Sequence, residues 1–297
     1  MYSSVRERLV HLHHCRGVGW KSIARLFQLD SSLSSIFTLP YTTLASYLSI
    51  TKEQSLLFYQ DLHSISIQSM IKTYREKNIH IVTILDQEYP DLLKNIYDPP
   101  WVLYAKGNVE WMNVHKLISV VGTRTPTSEG LQAVQSLVWP LVKKGWMIVS
   151  GLASGIDTAA HQAAIQYGGK TIAVIAGGLS HIYPKTNLAL ANEIMKNHLL
   201  ISEYPPHIKP QKWQFPLRNR IISGLSLGTV VIQANERSGS LITAQMALEQ
   251  GREVFAVPGS IFLEQAKGTN RLIQQGAKLV LCSEDITDEF TYLFPLK

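Results

Sequence analysis

From residue 116 onward, short apolar runs alternate with loops of small residues. Leu117–Val121 leads into Gly122-Thr123-Arg124, and Met147–Ser150 leads into Gly151-Leu152-Ala153-Ser154-Gly155-Ile156-Asp157. Thr171–Ala176 leads into Gly177-Gly178, Thr229–Ala234 into Asn235-Glu236-Arg237-Ser238-Gly239-Ser240, and Glu253–Val257 into Pro258-Gly259-Ser260. Continuous apolar runs of this kind read as strands buried on both faces. Helical patterns follow most of the loops, and strand, loop and helix in repetition mean a parallel sheet with crossover helices. The loops after parallel strands share one edge, where ligands bind. Loops poor in side chains present backbone N–H groups there, so the edge is predicted to bind something phosphorylated.

Residues 1 to 78 carry no comparable strand. Their pattern predicts helices over Val5–Cys15, Trp20–Leu29, Lys52–Leu62 and Ile67–Lys77, with a turn near Pro40. The chain divides on this reading into a small helical domain, 1–78, and an α/β domain, 79–297. A strand is predicted over His80–Leu85, an edge strand over Trp101–Ala105, and a last helix over Glu284–Phe290. Between the first two helices, Cys15-Arg16-Gly17-Val18-Gly19-Trp20-Lys21 has the glycine spacing that lets a backbone approach a DNA phosphate. A plain helix-to-helix turn fits it equally. His11, His13 and His14 are spaced wrongly for a metal pair on one helical face and read as solvated or capping residues.

At 297 residues, 45% apolar and 17% charged, the chain is an ordinary globular protein of about two domains. No apolar run is long enough to span a membrane, and the N-terminus is too polar for a signal peptide. Cys15 and Cys282 form neither a metal-ligand spacing nor a disulfide framework, so a cytosolic location is expected without metal or cofactor. The net charge of +6 favours an anionic partner.

Candidate chemistry gathers on the loops. Thr125 is expected to cap a helix with Pro126 in its first turn, which sets Arg124 beside a positive helix end. An anion in contact with Arg124 would relieve that repulsion. Ser150-Gly151 and Gly155 form a glycine nest, and Asp157 is expected to cap the helix holding His161. A Ser154/His161/Asp157 catalytic set is the costlier explanation of the same residues. Tyr183 and Lys185 precede Asn187, with Tyr183 either stacking on a base or packing its loop. In Trp213-Gln214-Phe215-Pro216-Leu217-Arg218-Asn219-Arg220, aromatics flank two arginines that leave a helix on different sides. One is expected to hold an internal carboxylate and the other to face a ligand. Ser238, Gly239, Ser240 and Thr243 open a further helix, and their amides and hydroxyls suit either an anion or simple capping.

These runs resemble the DNA processing protein A family, also called Smf. The resemblance rests on VGTRTPTSEG, SGLASGIDTAAHQAA, TIAVIAGGLSHIYPKTN, ISEYPP, FPLRNRIISGL, ERSGSLITAQMALEQGREVFAVPGS and GTNRLIQQGA, over residues 80 to 282. It implies an extended Rossmann-like domain with a mostly parallel sheet, preceded by a helical domain of sterile-alpha-motif or helix–hairpin–helix type. It further implies single-stranded DNA binding during natural transformation, homodimerisation, and loading of RecA recombinase. Single-strand-binding and other competence proteins are further expected partners. The family's pocket maps onto Arg124 and Lys185, with Arg218, Arg220 and the Ser-Gly-Ser start on the same rim. Two departures stand out. Leu179-Ser180-His181 stands where an acidic residue is common, and so does Gln233, which favours binding over catalysis.

Single-strand binding calls for a cationic groove with aromatic platforms. Arg124, Lys185, Arg218 and Arg220 are expected to supply the first, and Tyr183, Trp213 and Phe215 the second. Leu272, Ile273 and Leu279 are expected at the dimer contact. The alternative is a Rossmann-like nucleotide-processing enzyme of the phosphoribohydrolase kind, whose Pro-Gly-Gly-x-Gly-Thr signature is absent. A dinucleotide oxidoreductase lacks its glycine fingerprint.

Overall fold

The computed structural model describes residues 4–294. Five helices come first: α1 (Val5–His14), α2 (Trp20–Leu29), α3 (Tyr41–Leu48), α4 (Lys52–Ser64) and α5 (Ile67–Glu76). Strand β1 (His80–Thr83), helix α6 (Asp91–Lys94) and strand β2 (Val102–Gly107) follow. The α/β alternation then runs β3 (Leu117–Val121), α7 (Ser128–Lys143), β4 (Met147–Ser150), α8 (Ile156–Gln166), β5 (Thr171–Ile175), α9 (Leu188–Asn197) and β6 (Leu199–Ser202). It continues through α10 (Gln214–Leu225), β7 (Gly228–Val231), α11 (Gly239–Glu249), β8 (Glu253–Ala256), α12 (Glu264–Gln274), β9 (Lys278–Leu279) and α13 (Glu284–Thr287).

The strands form one nine-stranded sheet in the order β1-β2-β6-β5-β4-β3-β7-β8-β9. All neighbours are parallel except the pairs that β2 makes with β1 and β6. Chain order reverses between β3 and β7, so the chain leaves those two strands toward opposite faces of the sheet, α7 on one and α11 on the other, and a crevice opens above their ends. Alternation of side chains divides the core. Leu103, Ile172, Val174, Val149 and Val121 pack under α10 and α11, whereas Ile118, Val120 and Ile148 pack under α7 and α8. On that second side Tyr104, Ala173, Ile175 and Leu200 pack with α9 and with Leu9, Leu12 and Tyr74 of the helical segment, so bundle and sheet share one core.

Several expectations need correction. A helix, α3, replaces the bare turn at Pro40. β2 is interior, with β1 at the edge, and β6 adds a strand that the apolar pattern alone did not mark. The histidines of α1 are not solvated: His11 and His14 are buried and His13 partly so. His14 uses Nδ1 on Val10 O at 2.7 Å and Nε2 on the Tyr74 hydroxyl at 3.0 Å, and His13 Nδ1 meets the Tyr104 hydroxyl at 3.1 Å. In the glycine turn, Arg16 is held by Asp61 at 2.7–2.8 Å. No described helix is long and apolar enough to cross a membrane.

Candidate nucleic-acid interface

Three loops build the crevice at the strand reversal. After β3, Thr123 N donates to Gln233 O at 2.7 Å and Ile156 N donates to Thr123 O at 3.1 Å, which fastens this loop to those after β7 and β4. Gly155 makes the approach possible: its φ is +82°, and a Cβ there would collide with the Thr123 carbonyl and the Arg124 backbone. The α7 cap is Thr127, not Thr125, and its hydroxyl accepts from Gly130 N at 3.2 Å. Gln233 sets this position. Its amide oxygen accepts from Thr127 N at 3.0 Å and its amide nitrogen donates to the Thr127 hydroxyl at 2.8 Å. The two residues before the helix are thereby left in the loop, with Arg124 exposed at the mouth.

Beneath the mouth lie two buried ionisable side chains, Asp157 and Arg218, each held by backbone groups. The Asp157 carboxylate accepts from Gly151 N at 3.1 Å and Ala153 N at 3.4 Å, holding the loop after β4. Burial pushes its pKa up, and the field of Arg218 opposes the shift. Arg218, also buried, donates to the carbonyls of Gly151 and Val174 and, through Nε, to Asn219 Oδ1 at 3.2 Å. Burial lowers its pKa to about 10, which still leaves it a cation at neutral pH. A Cβ at Gly151 would overlap this guanidinium, so any larger residue there would displace it from its two carbonyls. On the far wall, Ser238 caps α11 and its hydroxyl meets that of Ser240 at 2.7 Å, while Asn219 Nδ2 donates to Gly239 O at 3.3 Å.

The result is a cleft of about 820 Å³. Of the residues singled out from the sequence, Gly122, Thr123 and Arg124 line it from β3, and Arg218, Asn219 and Phe215 from α10. Ser238, Gly239, Ser240 and Thr243 line it from α11, and Tyr183 from the loop after β5. Tyr183 and Phe215 meet edge-on at 5.6 Å on the lip. Lys212 and Arg237, both exposed, also line it and were not selected from the sequence. Asp157 is the one carboxylate among the described lining residues.

Others lie elsewhere. Arg220 is corrected outright: it is buried, paired with Glu203 at 2.6 Å and Asp98 at 3.1 Å, and turned away from the cleft. Ser150 is buried in the sheet, its hydroxyl on Val120 O at 2.7 Å. Asn187 points inward, donating to Leu152 O at 2.9 Å and the Thr158 hydroxyl at 2.8 Å. Gly151 and Gly155 sit behind the lining, and Lys185 is exposed outside it. His161 is no general base for Ser154. Its Nδ1 meets the Thr171 hydroxyl at 2.6 Å, and burial drives its pKa down to about 3. No cluster of three metal-ligating side chains occurs among the described residues. At the expected dimer contact, Leu272 is buried and Ile273 partly buried against the sheet, while Leu279 is 40% exposed.

Residues 80–291 match the family model of DNA recombination-mediator protein A. The chain is 56% identical over 220 residues to DNA processing protein DprA of Bacillus subtilis, covering 74% of each sequence. The crystal structure of DNA processing protein A from Streptococcus pneumoniae superposes with a TM-score of 0.83 at 38% identity, over 97% of this chain and 99% of that one. DNA processing protein A from Helicobacter pylori, a single-stranded DNA binder, gives 0.65 at 29% identity, over 72% and 96%. The chain belongs to the DNA recombination-mediator protein A family.

Proposed function

We propose that this protein binds single-stranded DNA in the cleft, shields it, and hands it to RecA recombinase during natural transformation and homologous recombination. The observation that carries the reading is the convergence of Arg124, Lys212 and Arg237 with the Tyr183–Phe215 lip on one open cleft. Cations on flexible stems neutralise phosphates, and aromatic faces stack on any base. Gly122, Thr123, Asn219, Ser238, Gly239, Ser240 and Thr243 supply backbone and hydroxyl donors to the same strand, and Lys185 reaches it from outside the lip. Gly151, Gly155, Ser150 and Asn187 hold the loops in place, and Arg218 adds buried positive charge below. The single-strand binding of the Helicobacter pylori relative supports this reading.

Two further parts belong to it. The helical segment, 1–78, braces the α/β domain, 79–297, which works in the cytoplasm as a binding protein rather than an enzyme. Two copies pair through the edge of the sheet at β9, where Leu279 and Leu281 are exposed, so that two clefts act on one strand. Nuclease digestion of a labelled single strand tests the shielding: protection by the wild type and none by Arg124→Ala is expected. Onset of RecA ATPase on that strand tests the hand-over, and an onset no earlier with the protein than without it rejects the loading step.

A further inference from the structure

The rim continues beyond the cleft. β2 is antiparallel to its neighbours, so its first residue, Val102, lies on the same edge as the loops that form the cleft. The loop before it, residues 96–101, therefore stands on that edge. So does the strap 203–213, whose Pro206 and Ile208 carbonyls accept from Ser180 N and Gly178 N in the loop after β5. Two large aromatic side chains face solvent here. Trp213 is 58% exposed and meets Tyr204 edge-on at 6.0 Å, and Tyr97 is 92% exposed.

Hydrogen bonds and chain continuity connect these residues to one another and to the cleft. Lys212 lines the cleft and Trp213 follows it in the chain. Arg220, two turns into the helix that Trp213 precedes, donates to Asp98 O at 3.0 Å and so fixes the residue next to Tyr97. Trp20 Nε1 donates to Pro99 O at 2.6 Å, which sets the glycine turn of the bundle at the far end. The charge along this path is positive. Asp98 and Glu203 are both engaged by Arg220, whereas Lys209 and Lys212 are exposed and make no ion pair among the described residues.

We infer that a single-stranded nucleic acid leaving the cleft runs along this edge, its phosphates against Lys212 and Lys209 and its bases on Trp213 and Tyr97. The inference rests on the reading of the cleft as a single-strand site. From β3 to β2 the edge spans four strand spacings, about 19 Å, so the track lengthens the footprint by several nucleotides. An exposed aromatic patch also suits a protein partner. Unpaired lysines and continuity with the cationic cleft favour the polyanion.

Fluorescence anisotropy with two oligothymidylates, of about 4 and about 16 nucleotides, tests it on the full chain. Tyr97 makes little contact with the fold, so Tyr97→Ala is expected to keep the wild-type melting temperature. It is expected to bind the short oligonucleotide like wild type, to bind the long one about tenfold more weakly, and to recover in Tyr97→Trp. Unchanged affinity for the long oligonucleotide overturns the track and leaves the patch to a protein. Equal weakening on both lengths also overturns it. Arg124→Ala is the control for the cleft: a loss on both lengths is expected, and no loss on either removes the cleft reading and the track together.

Discussion

The cleft and the seam between the helical bundle and the sheet are both crowded with ionisable side chains, and they differ in what answers the charge. In the seam, His14, Tyr74 and Tyr104 are buried and His13 partly so, they hydrogen-bond one another, and burial lowers the pKa of His13 to about 4 and of His14 to about 3. They are held neutral. In the cleft, Arg124, Lys212 and Arg237 face solvent with one buried carboxylate, Asp157, below them. A dense run of titratable residues therefore marks a site only where the fold leaves its charge unanswered. The two arginines of α10 make the same contrast within three residues, since Arg218 borders the cleft and Arg220 is spent on Glu203 and Asp98.

The largest effect expected from breaking this division is Arg220→Ala. It strands the Glu203 carboxylate in a mostly buried place, at a cost of about 3–5 kcal/mol. A fall in melting temperature on the order of 10 °C follows, and a melt within 2 °C of wild type would reject the structural role.

The seam predicts an acid transition. A histidine with a lowered folded pKa binds its proton more tightly once unfolded, so stability is intact above about pH 6.5 and falls as pH drops toward the folded values near 4 and 3. By pH 4.5 the loss is on the order of 2–3 kcal/mol per histidine. Urea unfolding at several pH values reads this slope, and His14→Gln is expected to flatten it. An unchanged slope would place the acid sensitivity elsewhere.

The smallest effect sharpens the cleft. Lys212→Ala is expected to reduce the dependence of log affinity for a single strand on log salt by about 0.7, with the fold untouched. Titrations at three salt concentrations measure it, and an identical slope would take Lys212 off the phosphate path.

Much of the fold was legible because parallel strands buried on both faces must be apolar throughout, and their glycine loops follow from close loop-to-loop approach. Less was legible where the signal is short or shared. Leu199–Ser202 follows α9 after a single residue and is only four residues long, so its apolar run is too short to stand out from the helix before it. Tyr41–Leu48 mixes aromatic and β-branched residues and reads poorly as a helix until packing decides it. Arg-Asn-Arg promised one inward and one ligand-facing arginine, but which was which depended on where Glu203 and Asp98 fall in space. Lys212 and Arg237 are single cations in loops, and nothing local separates them from Lys209 or Lys185. Gln233 was noted for what it replaces. Its amide clamp on Thr127, which shifts the start of α7, depends on two loops meeting 106 residues apart.

The most direct test of the cleft is fluorescence anisotropy with single-stranded and duplex oligonucleotides of equal length, comparing wild type with folded Arg124→Ala/Arg237→Ala. Strong preference for the single strand in the wild type, lost in the variant, is the predicted result. Equal affinity for both nucleic acids, or single-strand binding untouched by the two substitutions, would contradict the assignment.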